Sequence, residues 1–417
     1  LNNSSGLLLP NGITVNGNLL ITTGILTANN FNISVNGNWT NNASTAALTA
    51  GTGTVTFSGS AAQSIGGTSS TTFNNLTIDN TASIVTLGSN EVIAGNLTVS
   101  SGTLDLLNFT ANRSVVGGTL TVSNNATLKI GGTNSFPTQY ANNTLVVAST
   151  VEYSGTNQTV ANQVYGNLTL SSSTASATKT FPATALAILG NLTSRIGVGT
   201  AVSFTAASAI TVSGNVSIGA STTFNAGSYS HSIGGNWSNA GIFNGNTGTV
   251  TFIGPGTTIA GAGTQNFNNL TVAASQVNFS NNSINLSGNL ATISSGSFSQ
   301  ASGGTLTMTG AAKTITGSGI SLDNLTVNGS ITTAISFALT GNLSVSGSLV
   351  SSGGTITMSG ASKTISGAGT KSFSTLSVAG SIIAAVDFSI ASGLTVSGSL
   401  TASAGTATFT GSSTLSG

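Results

Sequence analysis

Few side chains in this 417-residue sequence carry a charge, so the residues that could do chemistry can be considered group by group. The acids are Asp79, Glu91, Asp105, Glu152, Asp323 and Asp387. Hydrolysis by paired carboxylates needs two acids facing each other across a substrate. Asp79, Glu91 and Asp105 follow one another at intervals shorter than one turn of the fold inferred below. We therefore expect them on different sides of the molecule.

The remaining candidates for catalysis or metal binding are also isolated. Asp323 and Asp387 are several turns apart, and the glycine-rich nonapeptide repeat that binds calcium is missing. Cysteine is absent, which excludes disulfides and thiolate metal sites. His231 is the only histidine, and no serine or aspartate pattern marks it as part of a triad, so we expect a solvated turn residue. The sequence therefore predicts no enzyme, catalytic residue, metal site or cofactor.

Two pairs of residues recur at matching places in the sequence and could bind a glycan. Lys313 and Lys363, in "AAKTIT" and "ASKTIS", could form a basic stripe, but solvated lysines that prevent lateral association are the favoured interpretation. Trp39 and Trp237, in "NGNWT" and "GGNWS", could stack on a sugar ring. Because the equivalent positions elsewhere hold Leu or Val, we expect both tryptophans in the core.

Polar repeats suggest two further possibilities, glycosylation and ice binding. The sequence contains 23 N-x-S/T sequons, from Asn2 to Asn342, which would accept glycans only in a suitable secretory pathway. An Asn that ends a turn before a Thr that starts a strand produces the same pattern. Threonine pairs could order water on a flat sheet, but they recur only once in three or more turns, which argues against a continuous array. The pairs are Thr54/Thr56, Thr249/Thr251, Thr305/Thr307, Thr355/Thr357 and Thr406/Thr408.

Composition limits the class of protein. Charged residues make up 3% of the chain, against about a quarter in ordinary domains, and the net charge is +1. Nothing in this balance favours nucleic acid or anionic lipid as a partner. No apolar run approaches the roughly 18 residues of a membrane span. Stretches such as "GTVTF" (53–57) and "GTLTM" (304–308) alternate polar and apolar residues, which indicates strands with one buried face rather than disorder.

Three phrases repeat together along the chain and predict a stacked architecture. The phrase "NLT" and its variants place leucines at 76, 168, 270, 325 and 376, each preceded by a "G-T-x-T" strand and followed by a "GNL" phrase. One of the last repeats runs from Leu306 to Ile356, and the equivalent leucines Leu325 and Leu343 divide it into three steps. Such self-similarity is typical of units that bury their apolar faces only by stacking. We therefore predict three coils for each of these repeats and roughly 22 coils in all.

The predicted fold is all-β, a right-handed parallel β-helix with about 18–20 residues per coil, forming one elongated rod over 1–417. Tandem β-sandwiches are the alternative, but the unit that begins at Leu306 is too short for one. In "FNNLTI" (73–78) we expect Leu76 and Ile78 inside and Thr77 outside. We expect Asn74 and Asn75 in the preceding turn, where Asn tolerates left-handed backbone angles. An asparagine that bonds between successive coils would suit the same place in each of them.

The phrases "GTVTFSG", "FNNLTIDN", "GNLTVSSGTLDL" and "GGTLTVSNNATLKIGG" resemble repeats of large secreted or surface-anchored bacterial proteins. These include autotransporter passengers and filamentous-haemagglutinin-like adhesins. The resemblance implies an extracellular or cell-surface β-helix with a structural or adhesive role. The expected function is a building block of a filament, fibre or coat. A monomeric glycan-binding adhesin is the alternative, and an ice-binding protein or a polysaccharide-active enzyme fits less well.

The two ends of the sequence lead to one further expectation, end-to-end self-association. Residues 1–19 match the apolar positions of 325–343, and "GTATFTGSSTLSG" (405–417) stops where another coil should begin. Terminal coils leave open strand edges, which a second copy could cover to form a fibre. Alternatively, the sequence is a segment of a longer or polymerising protein whose flanking coils cover these edges.

Overall fold

The protein is an all-β chain in which parallel strands stack as a β-solenoid of about 20 turns, as seen in a computed structural model. The structure describes residues 1–174, 176–197, 199–273, 276–280, 283–411 and 414–416, and no helix occurs among them. The chain divides into two compact units, Leu1–Thr205 and Ala206–Gly417. Each turn within a unit contributes three short strands, so the strands form three stacked rows.

The rows of the first unit are named 1A, 1B and 1C in the order in which the chain visits them. Row 1A contains β1 Leu7–Leu8, β4 Leu26–Thr27, β7 Leu48–Thr49, β10 Thr72–Phe73, β12 Glu91–Ile93, β14 Ala111–Asn112, β19 Gln158–Thr159, β22 Ser176–Thr180 and β25 Ala201–Thr205. Row 1B contains β2 Ile13–Val15, β5 Ile33–Val35, β8 Thr54–Phe57, β15 Gly117–Val122, β17 Tyr140–Leu145, β20 Val164–Tyr165 and β23 Leu186–Ile188. Row 1C contains β3 Leu19–Ile21, β6 Trp39–Asn41, β9 Gln63–Gly66, β16 Thr127–Ile130, β18 Thr150–Tyr153, β21 Asn167–Leu170 and β24 Leu192–Ser194. Two long strands, β11 Asn75–Leu87 and β13 Leu97–Asp105, bend at a register shift or turn and serve both 1B and 1C.

The second unit repeats this plan in rows 2A, 2B and 2C. Row 2A contains β28 Thr222–Asn225, β31 Ile242–Asn244, β34 Thr264–Phe267, β37 Ser283–Leu286, β40 Thr305–Met308, β43 Asn324–Val327, β46 Leu343–Val345, β49 Lys363–Ser366, β51 Ser381–Ala384 and β53 Ser399–Ala402. Row 2B contains β26 Ile210–Val212, β29 Ser230–Ile233, β32 Thr249–Phe252, β35 Asn269–Val272, β38 Leu290–Thr292, β41 Lys313–Thr316, β44 Ser330–Thr333, β47 Ser348–Ser351 and β54 Ala407–Phe409. Row 2C contains β27 Val216–Ile218, β30 Trp237–Asn239, β33 Thr257–Ala260, β36 Val277–Phe279, β39 Phe298–Gln300, β42 Ile320–Leu322, β45 Phe337–Leu339, β48 Thr355–Met358 and β55 Thr414–Ser416. The long strands β50 Thr370–Val378 and β52 Phe388–Val396 serve both 2B and 2C.

The predicted solenoid is confirmed, and the length of a turn varies on both sides of the predicted value. The turn from Val151 to its partner Leu168 is short, whereas the turn from Trp39 to its partner Ile65 is much longer. The variation lies in the turns, because the strands hold their register while connecting segments lengthen or shorten. The five leucines of the "NLT" phrases have no solvent exposure, as predicted.

The relation between repeat and turn differs from the prediction of three coils per repeat. The first two steps of the repeat are single turns, since Leu306 pairs with Leu325 and Leu325 with Leu343. The last step, from Leu343 to Ile356, is not a turn, because Leu343 pairs with Ile365 instead. One repeat therefore spans eight strands, from β40 to β47, or two and two-thirds turns.

This fraction moves each repeat to another row. Leu270, Leu325 and Leu376 occupy equivalent places in the sequence but lie in rows 2B, 2A and 2C. Within one repeat the phrases stack directly on one another, as in Leu306, Leu325, Leu343 and Ile365 of row 2A. The phrase thus recurs because the same inward-facing position is filled on successive turns. In the next repeat the equivalent residues stack in another row.

Asparagine side chains form hydrogen bonds between turns, as predicted. The left-handed backbone conformation expected of Asn74 and Asn75 is not adopted. Leu76 and Ile78 are buried and Thr77 points outward. Neither Asn74 nor Asn75 has a positive φ. Asn75 begins β11, and its Oδ1 accepts the backbone N–H of Asn96 at 3.0 Å. The side chain therefore replaces a ladder hydrogen bond at the place where the chain enters the strand.

Candidate functional site

A cluster of four charged residues lies on the outer side of row 1C. Asp105 pairs in register with Lys129, and Lys129 with Glu152, so acid, base and acid stand on three neighbouring strands. Arg195 directly follows β24 and reaches back to Glu152. Opposite charges that face each other across neighbouring strands attract and reinforce the ladder. Sequence analysis did not single out this cluster, although the common phrase T-[L/V]-x in "GTLD", "ATLK" and "STVE" was available as a signal.

Both carboxylates of this cluster are held by protein donors. Lys129 Nζ lies 3.0 Å from Asp105 Oδ2, and the backbone N–H of Leu107 donates to Asp105 Oδ1 at 2.9 Å. One guanidinium nitrogen of Arg195, Nη2, serves both oxygens of Glu152 at 2.9 and 2.8 Å. The hydroxyl of Ser171 donates to Glu152 Oε1 at 2.5 Å. The acids are therefore already satisfied within the protein.

The exposure of these four side chains is asymmetric. Asp105 and Glu152 are 5% and 7% exposed, whereas Lys129 and Arg195 are 33% and 56% exposed. The solvent-facing part of the cluster is therefore cationic, although its formal charge is zero. The four residues line a cleft of about 340 Å³ together with glycines, serines, Leu107 and Asn108. This arrangement can bind an anionic or polyhydroxylated small molecule.

Glu91, one of the acids predicted to stand alone, points into the core of unit 1. Its oxygens accept hydrogen bonds from the backbone N–H of Thr71 and the hydroxyl of Ser89, both at 2.6 Å. Burial raises the pKa of Glu91 to about 7, against the lowering effect of these two hydrogen bonds. The hydroxyl of Thr71 also accepts from Trp39 Nε1 at 3.0 Å. Glu91 thus belongs to an internal polar network that ties neighbouring turns together.

Two lysines are also turned inward and bond to turns. Lys179 Nζ donates to the carbonyl oxygens of Gly155 and Thr156 and to Gln158 Oε1 at 2.5–2.9 Å. Burial lowers the pKa of Lys179 to about 8, against the raising effect of Glu152. In unit 2, Lys371 Nζ donates to two carbonyl oxygens of the turn 367–369. Both ammonium groups stabilise turns from the inside.

His231 is buried, which corrects the expectation of a solvated turn residue. Its Nδ1 accepts the backbone N–H of Ile210 at 3.2 Å, and its Nε2 lies 2.9 Å from the carbonyl oxygen of Ala226. Nε2 therefore carries the proton of a neutral ring. Burial lowers the pKa of His231, against the raising effect of the Ala226 hydrogen bond. The ring packs edge-on against Phe224 and serves as a core residue.

The other acids lie apart from one another. Asp79 is exposed and accepts from Ser101 Oγ at 2.7 Å. Glu91 lies in row 1A and Asp105 in row 1C, so the expected separation is confirmed for these two acids. Asp323 accepts the backbone N–H of Gly303, and Asp387 accepts that of Thr406, both at 2.7 Å. In the part of the chain that the structure describes, no three His, Cys, Asp or Glu side chains could hold a metal ion.

The lysine and tryptophan pairs do not form a glycan site. Lys313 and Lys363 lie in rows 2B and 2A, so no common stripe exists, and both are half-buried rather than freely solvated. Trp39 and Trp237 are 0% and 1% exposed, which confirms their prediction as core residues. Trp237 Nε1 donates to Gln265 Oε1 at 3.1 Å, which satisfies the polar end of the ring.

The sequons follow from the way in which turns are joined. In at least 13 sequons among the described residues, the asparagine Oδ1 accepts a backbone N–H from the next turn at 2.7–3.0 Å. Where Leu or Trp follows the Asn, it is buried, and the Thr or Ser after it points outward, as in Asn96-Leu97-Thr98. The pattern is therefore explained by structure without glycans.

Threonines form a longer array than the sequence indicated. In row 1B one outward column contains a hydroxyl residue on seven successive strands, which include those of the "TVT", "NLT" and "GNLT" phrases. The column consists of Thr14, Ser34, Thr56, Thr77, Thr98, Thr121 and Thr144. The threonine pairs themselves do not form a continuous array, as expected, because Thr54, Thr249 and Thr305 each pair with an asparagine on the next strand. The continuous feature of row 1B is this single column.

No helix among the described residues is long and apolar enough to cross a membrane. Comparison with protein-family models, with curated proteins and with solved structures gives no match to this chain.

Proposed function

We propose that this protein is an extracellular structural β-solenoid, a building block of a cell-surface filament, fibre or coat. The observation that carries the proposal is that the buried ionisable side chains form hydrogen bonds within the protein. Glu91, Lys179, His231 and Lys371 all bond to turns or to neighbouring strands instead of lining a reaction site. Side chains that could do chemistry thus hold turns together, as expected of a scaffold.

The extracellular location is supported by the resemblance of the repeated phrases to secreted bacterial proteins. End-to-end self-association is part of the proposal, because the backbone groups on the outer edge of a solenoid's last turn have no partner strand. Another turn, from the same chain or from a second copy, satisfies them. Heterologous contacts of this kind do not close and give fibres.

Electron microscopy and localisation test this proposal. Antibody labelling of intact source cells should place the protein at the surface, in filaments or a coat. Purified chain at high concentration should form fibres that are one solenoid wide. Labelling confined to the cell interior, or catalytic turnover of a polysaccharide, would contradict the proposed role.

Ice binding is a second candidate function, favoured by the hydroxyl column of row 1B. Strands in such a row are about 4.8 Å apart, so the column presents hydroxyl groups at a regular interval that can order water. Replacement of Thr77 and Thr98 by Lys should abolish inhibition of ice recrystallisation if this face binds ice. Absence of such activity in the unmodified protein would remove this candidate.

A further inference from the structure

We propose that the charged cleft of unit 1 binds a carboxylate-bearing sugar, such as a uronic acid residue, through Arg195 and Lys129. This binding role goes beyond the structural function proposed above and does not depend on it. Four of the chain's thirteen charged residues line this one cleft.

The cleft selects an anion because its own anions are covered. Asp105 and Glu152 are almost fully buried, and each of their four oxygens already accepts a hydrogen bond. A cationic ligand would have to displace Lys129 or Arg195 from an ion pair. An anionic ligand meets the cationic side chains of Lys129 and Arg195, which are 33% and 56% exposed.

Arg195 has the geometry to hold a carboxylate. Only Nη2 contacts Glu152, and this single nitrogen spans both carboxylate oxygens. A guanidinium group presents its donors in a planar fork that matches a carboxylate in a bidentate pair. The side chain is anchored to the buried Glu152 yet 56% exposed, so its remaining donors can be offered without a large loss of side-chain freedom.

The size and lining of the cleft fit a sugar. Its volume of about 340 Å³ lies at the lower end of the range for small-molecule pockets, about 300–1,000 Å³. Ser173 and Asn108 line it and are exposed, and their hydroxyl and amide groups can bond to sugar hydroxyls.

A comparable cleft in unit 2 lacks this chemistry. It is lined by Lys371 and Asp387, but Lys371 is 3% exposed and donates its ammonium group to turn carbonyls. It therefore offers no exposed cation. The two clefts therefore differ in that only the cleft of unit 1 has cationic side chains that are both held by an ion pair and partly exposed.

Binding of matched sugars to the full chain tests the proposal. D-galacturonate and D-galactose differ only in the carboxylate at C6, and isothermal titration calorimetry or saturation-transfer NMR can compare them. We expect D-galacturonate to bind at least about tenfold more tightly, because the gain comes from charge-assisted hydrogen bonds. The difference should shrink as salt is added.

Three variants locate the site. Arg195→Gln should remove most of the preference for D-galacturonate, and Lys129→Gln should weaken it severalfold. Lys363→Gln, which removes a cation from unit 2, is the matched control and should have no effect. Thermal unfolding checks that the variants fold, and if Arg195→Gln does not, Lys129→Gln decides the question.

Equal affinity for the two sugars, or a preference that is undiminished in Arg195→Gln or, in its place, in Lys129→Gln, would overturn the proposal. Loss of the same size in Lys363→Gln would also overturn it, because binding would then reflect general charge. These outcomes leave the filament proposal unaffected, since that proposal is tested by imaging and localisation.

Discussion

Replacement of Glu91 by Gln should stabilise unit 1 at neutral and alkaline pH and remove part of its pH dependence. Glu91 is 1% exposed, and its pKa is raised from 4.5 to about 7 by burial. Between these pH values the unfolded chain ionises this carboxyl group while the folded chain keeps the proton. The stabilising contribution of Glu91 is therefore fully present below pH 4.5 and is lost as the pH rises through about 7.

The size of the stability change follows from the rise in the pKa of Glu91. A pKa difference of one corresponds to about 1.36 kcal/mol, so the rise to about 7 corresponds to about 3 kcal/mol of unfolding free energy. Gln resembles the protonated carboxyl group, because its Oε1 can accept from the N–H of Thr71 and its Nε2 can donate to Ser89 Oγ. The variant should match the parent at pH 4 and exceed it by up to about 3 kcal/mol at pH 8.

Urea unfolding monitored by Trp39 fluorescence measures this effect locally. Trp39 donates to Thr71, which in turn donates to Glu91, so the fluorophore lies within the network under test. A shared Trp237→Phe background removes the signal of unit 2. Asp79→Asn, which removes an exposed carboxylate, is the control. An unaltered slope between pH 4.5 and 7 in Glu91→Gln, or a variant less stable than the parent at pH 8, would refute the reasoning.

Three further predictions concern His231, Trp237 and Asn75. Unit 2 should lose stability as the pH falls below 6.5 through the lowered pKa of His231, because the unfolded chain then binds a proton that the folded chain does not. Urea unfolding monitored by Trp237 fluorescence should show this trend, which is opposite to that of Glu91, and His231→Gln should abolish it. Trp237→Ala should cost about 3–5 kcal/mol because the ring packs against four phenylalanines, and a thermal midpoint unchanged in calorimetry would contradict this core role. Asn75→Ala should cost about 1 kcal/mol by leaving the N–H of Asn96 without its acceptor, and Asn75→Asp, which keeps an acceptor oxygen, should recover part of the loss in the same urea assay.

The fold class could be predicted from sequence because strand alternation and stacking both leave local signals. Alternation placed Leu76 and Ile78 inside and Thr77 outside, and repetition showed that similar turns must stack. The burial of Trp39 and Trp237 followed from the Leu and Val at equivalent places. These inferences depend on which face a residue occupies, and that face is fixed by its position within a short strand.

The number of turns in a repeat could not be predicted, because it depends on how many strands the connecting residues support. The segment between Leu343 and Ile356 resembles a short coil in sequence. It runs only from row 2A through β47 to row 2C and does not complete a turn, because Leu343 pairs with Ile365. The same limit concealed the hydroxyl column of row 1B, because its members come from several different phrases that only the register of the strands brings together.

The candidate site was also decided by tertiary structure. Sequence spacing alone determined that Glu91 and Asp105 do not share a face. It could not show that Arg195 returns to the distant Glu152, because that contact depends on register over two turns and on the segment that follows β24. Alternation determined which residues face inward, whereas register between distant strands determined which charges meet and which of them remain exposed.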